Sequence, residues 1–130
     1  MRRFFNNIGF LVIIFSISLM AAKCKAQNTI DESRIENIKW MHSYEEDTNE
    51  VKVYRPDTYG FPPSRGRTGF QLNEDKSFIN YEIAPADGIV ERKGSCSIEG
   101  SKMMLSFEDS ARDYIMELIS IENNVLKIKK

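Results

Sequence analysis

Trp40, His42, Tyr44 and Arg55 lie on two adjoining alternating stretches, and they are the residues whose types and spacing best suit chemistry. If residues 47–50 form a turn, Glu46 faces Val51, Tyr44 faces Val53 and His42 faces Arg55, with Trp40 one step beyond on the same face. Val51 and Val53 favour the interior, so this face is expected to point inward, where polar groups must be paired or wet. One chemistry this allows is recognition: Arg55 binds a carboxylate while Trp40 covers an apolar body, at an open end beneath the 56–65 loop. The other is structural, with Arg55 paired to an inward carboxylate such as Glu46 or Glu82 and His42 satisfying a backbone carbonyl at the barrel end. The 61–67 segment adds Phe61, Pro62, Pro63, Arg65 and Arg67. Such a stiff, cationic loop either grips an anion or closes a barrel end and fixes register. Tyr81, expected to face inward, completes the candidate ligand-binding set.

Covalent and metal chemistry find little to work with. His42 is the single histidine and lies far in sequence from Cys96, which reads as a core residue on a strand. One histidine and no cysteine cluster leave only an all-carboxylate metal site. Glu45-Glu46-Asp47 lacks the spaced ligands and turn glycine of a calcium loop. Glu45 and Glu46 would point to opposite faces of a strand, which argues against a paired acid and base. No glycine-rich phosphate loop or serine-nucleophile motif is present. The chain is read as non-catalytic and without a cofactor.

The elements that position these residues are short strands. From Lys39 onward, brief alternating runs are separated by Asn, Asp, Gly and Pro, the pattern of an antiparallel meander. Eight strands are predicted, at 39–46, 51–56, 66–72, 77–84, 89–98, 102–108, 113–122 and 125–129. Without helices between them they leave two open edges unless the sheet closes, so an all-β, eight-stranded up-and-down barrel is expected. Taking 73–76 as a turn sets Leu72 against Ser77, Phe70 against Ile79 and Thr68 against Tyr81. Further on, Cys96 is set against Met103 and Gly94 against Leu105, then Phe107 against Tyr114, Leu105 against Met116 and Met103 against Leu118. The inward set is therefore Val51, Val53, Phe70, Leu72, Ile79, Tyr81, Met103, Leu105, Phe107, Met116 and Leu118. An Asn123-Asn124 turn sets Ile121 against Leu126 and Ile119 against Ile128, opposite in parity to Tyr114, Met116 and Leu118. Either a β-bulge near Ser120 reconciles them or the outer face of that strand meets the amino-terminal segment. Residues 27–38 are polar with scattered isoleucines, and Thr29 with Glu32 has capping-box spacing, so a short helix or turn is expected there.

Residues 1–26 read as a signal peptide. Arg2 and Arg3 precede an uncharged run over 4–22, and small residues follow, with a cut expected between Ala26 and Gln27. An uncleaved anchor is the first alternative, since the run approaches the roughly 20 apolar residues that span a bilayer. Lipid attachment at Cys24 is the second, though Lys23 precedes it. The domain then begins after 27–38 and fills 39–130. The cut leaves 14 basic and 19 acidic residues, a net charge of −5, which argues against nucleic acid or an anionic membrane as partner. It also leaves Cys96 alone, so stability rests on the core. Export to the periplasm or the medium is the expected localisation.

Trp40, the Glu45-Glu46 pair, Tyr54-Arg55-Pro56 and the run Phe61-Pro62-Pro63-Ser64-Arg65-Gly66-Arg67 resemble the lipocalin-like domain proteins of bacteria. The stretch 94–105 resembles that family's Gly-x-Trp hairpin, with Cys96 standing where tryptophan is expected. The resemblance implies a small β-barrel that binds a small hydrophobic molecule, though fold alone does not establish function. Two roles follow as expectations. One is an exported carrier of a small apolar, amphipathic or anionic ligand, with Trp40, His42, Arg55, Phe61, Arg65, Arg67 and Tyr81 around it. The other is a barrel filled by its own side chains that serves as a protein interaction or envelope-associated module. A void lined by Tyr81, Cys96 and Met103 would mark the first, and a solid interior with an exposed apolar patch the second.

Overall fold

A computed structural model describes residues 29–130; the signal-peptide reading, its Ala26-Gln27 cut and Cys24 lie outside the described residues. The expected closed barrel is there. Its eight antiparallel strands are β1 (Lys39–His42), β2 (Val51–Pro56), β3 (Gly69–Leu72), β4 (Ser77–Ile83), β5 (Ile89–Glu99), β6 (Lys102–Phe107), β7 (Asp113–Glu122) and β8 (Val125–Lys129). Among the described residues, no helix is long and apolar enough to cross a membrane.

The strand order departs from a simple meander in one place. Around the barrel it runs β1, β2, β8, β7, β6, β5, β4, β3 and back to β1. β2 and β3 therefore both flank β1 antiparallel and run in the same direction, so the chain between them must travel back along the length of β1. The 57–68 segment does this: the Asp57 N–H donates to Lys39 O at the start of β1, and the His42 N–H donates to Thr68 O at its end. The predicted 66–72 strand is correspondingly shortened to Gly69–Leu72.

Two local turns decide which side chains face inward. β1 ends at His42, because Tyr44–Glu46 form a 3-10 turn in place of a continued strand. The register becomes His42↔Tyr54 and Met41↔Arg55. This corrects the expected His42–Arg55 pairing by one residue, and a one-residue slip exchanges faces. Tyr54 thus turns inward, while Val51, Val53 and Arg55 turn out. In the next hairpin Lys76 sits at φ +67°, and the Asn73 N–H donates to Ser77 O, making a tighter loop than four residues. Leu72 then pairs with Phe78 and Phe70 with Asn80, which puts Phe78 inside and moves Ile79 and Tyr81 to the outer face, against expectation. The later hairpins shift by an even number of residues, so Cys96, Met103, Leu105, Phe107, Met116 and Leu118 keep their expected face. The bulge expected near Ser120 lies between Leu118 and Ser120, where Leu118 pairs with Ile128 and Ile121 with Leu126. Ile119 is the residue it expels to the surface. Asn123 and Asn124, at φ +51° and +59°, form the tight turn that follows.

The interior is filled along its length. Trp40, Phe70, Leu72, Phe78, Met103 and Leu126 are all fully buried. The aromatic rings follow one another from Tyr54 to Phe70 at 5.3 Å, Phe70 to Phe78 at 5.5 Å and Phe78 to Phe107 at 6.0 Å. One end is plugged by the amino-terminal segment. Its 3-10 turn at Glu32–Arg34 is capped by Asp31, not by the expected Thr29, because Asp31 accepts the Ser33 N–H at 3.1 Å. Ile35 of this segment is fully buried, and its carbonyl accepts the Trp40 Nε1–H at 3.0 Å. Lys76 bonds both Glu32 and Glu36 and ties the segment to the turn after β3. Trp40→Phe keeps an aromatic side chain but leaves part of the indole volume empty and the Ile35 carbonyl without its donor, so it is expected to lower unfolding free energy by about 2–3 kcal/mol, read from urea denaturation followed by circular dichroism.

Candidate interaction face at the open end of the barrel

The acidic run 45–47 and three basic residues from other elements build a frame around the end of β1. Glu45 receives both Nη atoms of Arg67, at 2.9 and 2.6 Å. Glu46 receives Arg55 at Nε and Nη2, at 2.9 and 2.5 Å. Asp47 lies 3.0 Å from His42 Nε2 and accepts the Val53 N–H at 2.9 Å. Each carboxyl is held below its ordinary range: Glu45 by the Arg67 fork and Glu46 by Arg55. At Asp47 burial pushes upward, and the Val53 N–H and His42 together outweigh it. Consecutive acids serve three different partners because a 3-10 turn fans its side chains out, where a strand would have put them on two faces.

The predicted site residues are therefore spread over several environments. Trp40 is in the core beside the plugged end. His42 faces inward, stacked on Tyr54 at 5.1 Å and edge-on to Tyr44 at 5.2 Å, and it bonds Asp47 where a backbone carbonyl was expected. Burial, with the nearby Asp47 charge, pushes the Tyr54 hydroxyl up to about 12, so it stays neutral. Arg55 is on the outer face, bound to Glu46 and lying 4.6 Å from the Tyr59 ring centroid. This corrects its expected place in the interior: the pairing with Glu46 is present, but on the outer face and not inward. Arg67 is 7% exposed. Besides Glu45 it donates to the His42 and Pro62 carbonyls, and its guanidinium lies 4.5 Å from the Tyr44 ring and 4.6 Å from that of Phe61. Phe61 thus holds Arg67 in place, and Arg65 beside it is exposed. Tyr81 lies outside, paired across β3 with Gly69, with the Lys39 ammonium 4.2 Å from its ring. The structure gathers His42, Arg67 and Phe61 with Tyr44 and Glu45, and leaves Trp40, Arg55 and Tyr81 apart from them.

The far mouth of the barrel is covered too. Arg92, inward-facing on β5, lies 4.3 Å from the Phe107 ring centroid while bonding Glu82 at 3.2 Å and Asp109 at 2.8 Å. The concavities described lie on the outside. One of about 370 Å³ runs over β2, β8 and β7, lined by Glu46, Val53, Arg55, Ser120 and Lys127 among others. Another of about 410 Å³ lies beside the 100–102 turn. None of those described is lined by Cys96, Met103 or Tyr81. Cys96 is buried, and burial pushes its thiol up to about 11, away from nucleophilic character. Among the described residues no group of three or more His, Cys, Asp or Glu is placed to hold a metal ion.

The large apolar side chains left exposed lie mostly at one end, Tyr59 and Ile119 apart. Tyr44 follows β1, Ile83 closes β4, Ile89 and Val90 open β5, and Tyr114 and Ile115 open β7; in an antiparallel barrel those positions share the mouth opposite the amino-terminal plug. Ile83, Ile89, Val90 and Tyr114 are 46–49% exposed and Ile115 is 65% exposed. The clue in sequence was Ile89-Val90: two adjacent apolar residues beside a polar turn break the alternation that a half-buried strand keeps. No family model matches the chain, and no curated protein or solved structure matches it either.

Proposed function

We propose that this domain is an exported, non-catalytic filled barrel that works as a protein-interaction module through the mouth framed by the β4–β5 hairpin and the start of β7. The observation that carries the reading is the pairing of a packed interior, covered at both ends by Ile35 and by Arg92 over Phe107, with exposed apolar side chains concentrated at one end. Exposed apolar side chains gathered at one mouth favour burial against another molecule. Export enters from the sequence, through the layout of residues 1–26. The lipocalin-like carrier reading draws on the residues that carry the resemblance, but it needs room where Phe70, Phe78 and Met103 lie fully buried.

Photo-crosslinking in the native cell tests the proposal. A photoreactive residue at Ile115, or separately at Ile83, is expected to give discrete protein adducts, and the same residue at Lys127, midway along β8 and away from that mouth, is expected to give none. Native mass spectrometry of the purified protein is expected to return the bare polypeptide. A stoichiometric small molecule retained in that spectrum, or adducts equally abundant at Lys127, sinks the reading.

A further inference from the structure

β5 runs past the strand on one of its sides. It pairs with β4 from Ile89 opposite Ile83 to Ser95 opposite Ser77, but with β6 only from Gly94 onward. The hydrogen bonds fix which way its backbone points. The Ala84 N–H donates to Gly88 O and the Cys96 N–H to Lys76 O, so even-numbered positions of β5 turn their groups to β4. The Glu108 N–H donates to Lys93 O, so odd-numbered positions turn theirs to the other side. The N–H and C=O groups of Ile89 and Glu91 therefore point outward from the hairpin, with no β6 residue opposite them. Such a row of unpaired backbone groups is a template for another strand. Exposed Ile83, Ile89 and Val90 flank it.

We propose that this edge pairs with the same edge of a second copy of the chain, antiparallel about a two-fold axis, with Val90 opposite the second copy's Val90. The inference rests on the interaction reading above and names its partner. Backbone parity admits only registers in which odd positions meet odd positions, and the charges choose among them. Centring on Glu91 sets the two Glu91 carboxylates face to face. Centring on Ile89 sets Glu91 against Asp87. Centring on Val90 sets Lys93 against Asp87 and Ile89 against Glu91, with no like charges opposed, and it does so twice by symmetry. Asp87 and Lys93 are both exposed at these positions. The contact is small, so the dimer belongs with weak, transient interfaces and forms at high protein concentration.

Sedimentation equilibrium on the exported protein, processed as in its own cell, is expected to show the average mass rising with concentration toward twice that of the monomer. Glu91→Pro removes an N–H that no bond within the barrel uses, so it should abolish that rise while the thermal melt shifts little. Val90→Cys should give a disulfide-linked dimer under mild oxidation, since directly opposed residues of a non-hydrogen-bonded pair lie about 4.5 Å apart at Cα, within disulfide reach. Ile89→Cys should not, and the unsubstituted protein, with Cys96 buried, sets the background. A strictly monomeric mass at the highest concentration, or equal crosslinking through positions 89 and 90, overturns the proposal. If a different protein is then captured at Ile115, the interaction reading stands and only the identity of the partner has failed.

Discussion

Arg67→Ala is expected to destabilise the domain by about 3 kcal/mol, lowering the melting temperature by roughly 10–20 °C for a chain of this size. The reason is topological as much as electrostatic. The 57–68 crossover has few backbone bonds of its own to β1, and Arg67 joins it to the 3-10 turn at Glu45, to the end of β1 at the His42 carbonyl and to its own start at the Pro62 carbonyl. Truncation leaves those acceptors without their donor and empties the slot between Tyr44 and Phe61. Glu45 is partly exposed and can rehydrate, which keeps the loss toward the low end of that for a fully buried pair. Arg67→Lys should recover only part of it, because an ammonium cannot reach carboxylate and carbonyls in the same planar fork. The pH profile supplies a second readout. Glu45, Glu46 and Asp47 all have folded pKa values below their ordinary ones, so their contribution is complete above the unfolded carboxylate range and is lost as pH falls through the folded values. The parent should thus weaken steadily in acid, and Arg67→Ala should show a shallower decline because the share of Glu45 is already missing. A melting temperature unchanged within a degree or two would mean that the crossover is held by something else.

The frame around Arg67 shows which information the residue pattern carried and which it did not. Alternation located the strands well: 51–56, 113–122 and 125–129 coincide with β2, β7 and β8, and the parity conflict between Leu118 and Ile121 announced the bulge before Ser120. Alternation has period two, however, and says nothing of whether a turn holds an odd or an even number of residues. Lys76 in the left-handed region is a backbone fact without a signature in residue type, since neither glycine nor asparagine occupies the position. It alone exchanged Phe78 for Ile79 in the core. At the first hairpin the error had the same form: the run 45–47 was read as strand and turn, whereas Tyr44–Glu46 form a 3-10 turn that lets Glu45 reach Arg67, Glu46 reach Arg55 and the following Asp47 reach His42. Long-range pairs such as Glu45 with Arg67 cannot be read from spacing. The crossover past β1 was equally hidden, although a stiff, two-proline loop of that length is more than a hairpin requires.

Cys96→Trp is the sharpest test of a filled interior, and it is expected to destabilise the domain by about 3 kcal/mol, at the upper end of what overpacking usually does. The hairpin expected from the sequence would carry a tryptophan at this position. Here Cys96 faces inward opposite Leu105, in the buried cluster with Leu72, Phe78, Met103 and Phe107. Beside it the wall closes tightly: a Cβ on Gly94 would come within 2.2 Å of Ser106 O, and the rings of Phe78 and Phe107 meet at 6.0 Å. An indole at position 96 must push these side chains off their rotamers or move the strands. Cys96→Ala, which removes one sulfur, should lose only about 1 kcal/mol, so the two substitutions separate crowding from the loss of the thiol. Urea denaturation gives both values, and the emission of the introduced indole reports whether it reaches a dry environment. Near-native stability with a buried, blue-shifted indole would show that the barrel holds room for a large apolar group. The carrier reading would then displace the interaction reading, because a space that accepts an indole side chain also accepts a ligand of that size.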